Sequence, residues 1–236
     1  MHKNIVIEPM TERFILWRCL HGGPLSNNTI NKFPKNGVEE WEAHHVINIP
    51  LLKKIIKTYG TCAILARDGD QIVGFLRFYP KILYSMKEAG TLCLQQDFLA
   101  GSSKCSVDQM FPPLEDIKEK TLKIHCLMTW SPFQEENPYQ RKGIGIRMAR
   151  ELMGWAKEDR WKSIEATANE DFELLYAHTG QAGKSFWEKL GFRLVKTESE
   201  PRFQGDFLKK LHEQAVAQNL NPENAHKKYT MYIDLS

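Results

Sequence analysis

The spacing of apolar and polar positions changes along the chain, and each change marks an element. Asn4–Glu8 reads as a first strand. The stretch His21–Gly37 is dense in turn formers and reads as a long loop. Two helices follow, one over Val38–Val46 and a second that opens with Pro50 in its first turn. The second carries Leu51, Leu52, Ile55 and Ile56 and stops at Gly60. Thr61–Arg67 and Gln71–Tyr79 flank Asp68-Gly69, a hairpin signal. Residues 80–120 mix turn formers with a candidate strand near Leu92–Gln95 and show no sustained periodicity. A length of that kind reads as a functional cover or an insertion.

The pattern sharpens from Thr121 onward. Leu122–Trp130 alternates, which predicts a strand with Leu122, Ile124, Cys126, Met128 and Trp130 on one face. Gly143–Asp159 predicts a helix, with Ile144, Met148, Leu152 and Trp155 forming one apolar stripe. Ser163–Ala168 is a short strand, Gly183–Leu190 a short helix and Phe192–Lys196 another strand. Asp206 is expected to cap a helix carrying Phe207, Leu208, Leu211 and Ala215. Tyr229–Leu235 closes the chain as a strand. With no internal repeat and no linker-like segment, residues 1–236 read as a single α/β domain.

Composition narrows the classes of function. Thirty-two basic and 29 acidic side chains give a net charge of +3, too balanced to point to a nucleic acid or a membrane surface. The longest apolar run, Cys62–Ala66, is too short to span a bilayer, and Met1–Asn4 does not open a secretory signal. The expected setting is therefore cytoplasmic. The five cysteines (Cys19, Cys62, Cys93, Cys105 and Cys126) are scattered and never paired as C-x-x-C, which fits free thiols. His44 and His45 are adjacent, so on a helix they diverge and no metal is expected.

The candidate chemistry lies in Gln140-Arg141-Lys142-Gly143-Ile144-Gly145, between the alternating strand and the long amphipathic helix. Glycines there permit tight turns and close approach of a ligand to the backbone. The first amides of the helix lack intrahelical acceptors and sit at the positive end of its dipole, which suits a pyrophosphate. Arg141 and Lys142 add positive charge. A dinucleotide fingerprint fails because Met148 stands where its third glycine belongs. A nucleotide-binding P-loop at Gly183-Lys184-Ser185 fails because His178 occupies the place of its first glycine.

A third pattern fits. Gln140–Gly145, followed by Phe186-Trp187-Glu188-Lys189-Leu190-Gly191-Phe192, resembles the paired motifs of the GNAT superfamily of N-acetyltransferases. The resemblance is close from about Leu122 to Val195 and topological elsewhere. It implies a GNAT-like mixed, mostly antiparallel sheet of about seven strands flanked by helices. It also implies acetyl-CoA as co-substrate and direct transfer of the acyl group to a primary amine in a ternary complex. Gln140 and the amides of Arg141, Lys142, Gly143, Ile144, Gly145 and Ile146 are then expected to hold the CoA pyrophosphate. The backbone at Met128 and Thr129 is expected to pair with the pantetheine arm, and an N–H near Met128 to polarise the thioester carbonyl.

The same resemblance leaves the proton chemistry open. Trp187 stands where many relatives carry a tyrosine acid, and Gly180 stands near the place of a common asparagine. His125, in the motif strand and expected on the face opposite Cys126 and Met128, is the leading candidate base. Glu135, in the loop before the motif, is a second, and Tyr176 and Tyr139 are hydroxyls nearby in sequence. Cys126 reads as a small core thiol rather than a nucleophile. The acceptor side is expected to be built from His21–Gly37, Val38–Val46 and residues 80–120, around a small molecule. The rival is a CoA-binding sensor or scaffold without turnover. Monomer and homodimer both stay open.

Overall fold

The computed structural model describes residues 5–20, 26, 41–88, 111–129, 139, 141–172, 174–175 and 181–236. Seven strands form one sheet: β1 (Val6–Pro9), β2 (Ala63–Asp68), β3 (Gln71–Pro80), β4 (Thr121–Thr129), β5 (Ser163–Ala168), β6 (Arg193–Ser199) and β7 (Lys227–Asp234). Their order is β1-β2-β3-β4-β5-β7-β6. Only β4 and β5 run parallel; every other pairing is antiparallel. The fold is thus the mixed, mostly antiparallel sheet flanked by helices that the alternation and the resemblance implied. The candidate strand near Leu92–Gln95 lies outside the described residues, as do Trp130 and nearly all of the loop His21–Gly37.

Two helices follow from simple apolar patterning. In α3 (Ile144–Glu158), Ile144, Met148 and Leu152 repeat every four residues and are buried, with Ala149 and Ala156 beside them. Trp155 extends the stripe and packs on Phe78 of β3, ring centroids 5.3 Å apart. The short α4 (Lys184–Glu188) buries Trp187. A second, smaller cluster gathers Phe172, Leu175 and Phe203 against Leu211 and Ala215 of α5 (Gly205–Ala217).

Three expectations are corrected. The segment read as two helices is one, α1 (Trp41–Tyr59), which passes straight through Pro50. Proline removes one i→i−4 hydrogen bond, here to Val46, and both residues are exposed, so water reaches the deprived carbonyl. The buried Asn48, donating to the Trp17 carbonyl at 3.0 Å, ties the middle of the helix to the core where the break was expected. Second, residues 80–120 contain the helix α2 (Lys81–Glu88) directly after β3. Third, Asp206 lies inside the first turn of α5, and Gln204 holds the cap position without a side-chain bond.

Candidate acyl-CoA site

The site begins where β4 leaves β5. These two strands pair only over Thr121–Lys123 and Ser163–Glu165. The paired end is pinned by Thr121 Oγ1 and Ser163 Oγ at 2.7 Å and by Lys123 Nζ and Glu165 Oε1 at 2.9 Å. Beyond it, β5 continues to pair with β7 and β4 with β3, and the ladder between β4 and β5 stops at Lys123 and Glu165. A parallel pair parted in this way offers a row of backbone donors and acceptors to an extended ligand. Met128 and Thr129 lie on that open edge.

β4 also carries an irregularity at His125. Phe78 pairs with Ile124, yet the next β3 residue, Arg77, pairs with Cys126, so His125 is the extra residue between two successive registers. An extra residue of this kind reverses the alternation beyond it. Ile124, opposite Phe78, faces α3, whereas Cys126 and Met128 share the other face with Arg77 and Phe75. Leu127 becomes the residue that meets α3, 3.7 Å from where a Cβ on Gly145 would stand. The single face expected for Leu122, Ile124, Cys126 and Met128 is therefore corrected. So is the placement of His125 opposite Cys126, since both lie on the side away from α3.

On that side His125 meets two aromatic rings. Its Nδ1 is 3.2 Å from Tyr84 Oη, a hydrogen bond whose direction depends on the tautomer, and its ring stands edge-on to Tyr79 at 5.4 Å. Burial pushes the Tyr84 hydroxyl well above the ordinary tyrosine range, so it stays protonated. Lys123 lies over the Tyr84 ring at 5.1 Å. Glu165 also accepts Lys81 Nζ at 3.1 Å, and Lys81 reaches Glu119 at 2.9 Å. Burial pulls the Glu165 carboxyl upward, but the bonds and charges of Lys123 and Lys81 outweigh it and hold the group below its ordinary range. Cys126 is held as a thiol, pushed up to about 12 mainly by burial, which suits a core residue and not a nucleophile. Arg77, buried, donates to the Leu16 carbonyl and fastens the segment before α1 across this face.

At the far end of the open edge stands the turn before α3. Arg141, Lys142 and Gly143 are exposed, and Arg141 and Gly143 both adopt left-handed backbone, at φ 56° and 72°. Gly143 is the N-cap, and the first helical bond runs from the Arg147 N–H to its carbonyl at 3.1 Å. The amides of Ile144, Gly145 and Ile146 therefore have no acceptor within the helix, and they sit at its positive end. At Gly145 a Cβ would meet only the Phe186 ring at 3.4 Å and Leu127, ordinary contacts. The packing itself therefore does not require glycine there. Gln140, Glu135 and Tyr176 lie outside the described residues.

Two other sequence candidates find different partners. Tyr139 donates from its hydroxyl to Asp68 Oδ2 at 3.0 Å, which joins the motif loop to the β2–β3 turn. At Gly183-Lys184-Ser185, Asp171 takes the Ser185 N–H at 3.1 Å and the Ser185 hydroxyl at 2.9 Å. Lys184 is paired with Glu188 at 3.4 Å and stacked over Tyr229 at 5.6 Å. A carboxylate of the chain itself thus stands where a nucleotide phosphate would have to go, which removes the P-loop reading.

No family model and no curated protein sequence matches this chain. Among solved structures it is similar to an IAA acetyltransferase from Bacillus cereus, at 12% identity over 98% of this chain and 99% of that one, TM-score 0.43. It is also similar to Ard1 from Thermoplasma volcanium, at 11% identity over 98% and 97%, TM-score 0.45. A GNAT family acetyltransferase from Elizabethkingia anophelis with acetyl-CoA bound aligns at 14% identity over 98% and 99%, TM-score 0.42. Among the described residues no helix is long and apolar enough to cross a membrane, and no cluster of three His, Cys, Asp or Glu is placed to hold a metal.

The sequence reading missed several residues of this neighbourhood. Tyr84 and Lys81 of α2 and Glu165 of β5 meet His125 and Lys123 of β4, and no local spacing announces them. The irregularity at His125 is also silent in the pattern, because Ile124, Cys126 and Leu127 are all apolar and either register looks alternating.

Proposed function

We propose that this chain is a GNAT-type acyltransferase that uses acetyl-CoA and transfers the acyl group to a primary amine on a small molecule. The observation that carries the reading is a juxtaposition: the part of β4 beyond its last register with β5, Ile124–Thr129, leads to a turn exposed at Arg141–Gly143 that opens α3, shaped by left-handed Arg141 and Gly143. A pyrophosphate fits the free amides of Ile144, Gly145 and Ile146, with Arg141 and Lys142 beside it. An extended pantetheine arm fits the open edge at Met128 and Thr129. Gln140 completes the cradle in this reading.

In the reaction, the amine nitrogen attacks the thioester carbon, a C–N bond forms, and the C–S bond breaks with its electron pair on sulfur. The ammonium form of the amine must first lose a proton. His125 is the candidate base, positioned by the contact of its Nδ1 with Tyr84; it takes a proton at Nε2 in the tautomer whose Nδ1–H donates to the Tyr84 oxygen. Tyr84 acts as the positioning residue. Glu135 and Tyr176 stay as further candidates for moving protons. With its thiol held protonated, Cys126 does not offer a covalent route, which supports direct attack in a ternary complex.

Calorimetric titration of acetyl-CoA into wild type and Gly143→Asp tests the reading. The carboxylate adds charge at the cradle, and no atom lies within 4 Å of the new Cβ, although the left-handed backbone adds strain. Binding to wild type, with affinity lost by at least about tenfold in a mutant whose circular dichroism shows it folded, is expected. Absence of binding to wild type sinks the reading. Tight binding without turnover against a broad amine panel would favour the sensor, a reading that Trp187 at the tyrosine position supports.

A further inference from the structure

We infer that the indole N–H of Trp187 is a hydrogen-bond donor to the thioester group of bound acyl-CoA. Trp187 is 1% exposed, and its Nε1 has no hydrogen-bond partner among the described residues. A buried N–H left unpaired gives up its hydration for nothing in return, and a buried tryptophan ordinarily finds an acceptor. The position of this one is informative. Trp187 lines the small gap that opens where β4 and β5 part, together with His125 and Leu127 of β4 and Thr167 of β5.

That gap adjoins the cradle before α3. Leu127 lines it and also reaches to 3.7 Å from the Cβ position of Gly145. Phe186 lies 3.4 Å from the same position and packs edge-on against Trp187, ring centroids 4.8 Å apart. A ligand held by its phosphates at Gly145 and extended along the β4 edge therefore brings its far end past Leu127 to the indole. Trp161 makes the contrast. Its Nε1 is likewise unpaired, but its ring packs near Tyr59, and it does not line the gap.

The chemistry differs from that of a hydroxyl acid. An indole donates a hydrogen bond and keeps its proton at neutral pH, so it can stabilise negative charge growing on the thioester without a proton transfer. No bond to the indole is made or broken. The proton that ends on the CoA sulfur is balanced by the one that the attacking nitrogen sheds as the C–N bond forms.

This inference rests on the acyl-CoA reading, and the test separates the two. The indole 1H–15N resonance of Trp187 is assigned by its absence from Trp187→Phe, or from Trp187→Leu should the first not fold. Wild type is then titrated with acetyl-CoA and with desulfo-CoA, which carries the phosphates and the arm but no thioester. A downfield shift of the Trp187 resonance with acetyl-CoA, and little with desulfo-CoA, is expected. In the folded variant lacking the N–H, acetyl-CoA affinity should fall about fivefold while desulfo-CoA affinity holds. Equal shifts with both ligands would assign the donor to the arm and overturn the inference. So would saturating acetyl-CoA that leaves the resonance unmoved, although the acyl-CoA reading would stand. If neither ligand binds, both fall together.

Discussion

At Gly145 a single added methyl tests the proposed cradle, because the fold itself leaves room for one. The residue is helical, in the first turn of α3, where glycine is a poorer helix former than alanine by up to about 1 kcal/mol. The neighbours, Phe186 at 3.4 Å and Leu127 at 3.7 Å, would meet a Cβ at ordinary contact distance. Gly145→Ala is therefore expected to fold and to gain about 0.5 kcal/mol in denaturant unfolding. Its acetyl-CoA affinity, measured by calorimetry, should fall by about tenfold, because the added methyl stands where the phosphates approach. A variant that gains stability and keeps full affinity would move the cradle elsewhere. The glycine-marked turn at this residue was legible from the sequence, since its motif is contiguous and its conformation belongs to the backbone. Trp187 was legible only in identity; that its N–H finds no partner among the described residues depends on everything packed around it.

Elements were harder to read wherever an interruption in the pattern had to be weighed against packing. Pro50 starts a helix by local rule, yet it lies within the 19-residue α1. Because its side chain is exposed and its lost bond faces solvent, Pro50→Ala should remove a backbone penalty without opening a cavity. A gain of about 1–3 kcal/mol in unfolding free energy is expected, with no change in far-ultraviolet circular dichroism. A loss of stability would mean that the ring holds the helix at an angle the core requires. The strand β4 shows the converse problem. Its start, its length and its alternation were all visible, but the irregularity at His125 reverses the faces beyond it. Apolar residues on both sides of His125 give the sequence no means of marking where that reversal occurs. α2 escaped for a further reason: its eight residues follow β3 without a turn signal, and only packing on β3 and β4 completes it.

At the scale of the whole molecule, the parting of β4 from β5 is an electrostatic as well as a topological event. Glu165 is bonded to Lys123 at 2.9 Å and Lys81 at 3.1 Å, so three elements converge on one largely buried carboxylate at the last paired register before the strands separate. Its folded-state ionisation lies below the ordinary carboxylate value of 4.5. The stability it contributes is thus fully present above that value and is lost as the pH falls through its lower, folded one. Glu165→Gln should cost about 2 kcal/mol at neutral pH, and unfolding curves of mutant and wild type should converge in strong acid. A difference unchanged with pH would show that shape, not charge, sets the residue's contribution. The sequence by itself determined the seven strands in approximate extent, the amphipathic α3 and the glycine-marked turn before it, since each is written in local periodicity or in backbone chemistry within a few residues. The tertiary structure alone decided that α1 is continuous, that β4 changes face at His125, and that Tyr84, His125, Lys81 and Glu165 form one neighbourhood. It also decided that an unpaired indole N–H stands beside the open strand edge. The physical reason is common to all four: each depends on contacts between residues far apart in the chain, whose balance of burial, hydrogen bonding and charge no short window of sequence contains.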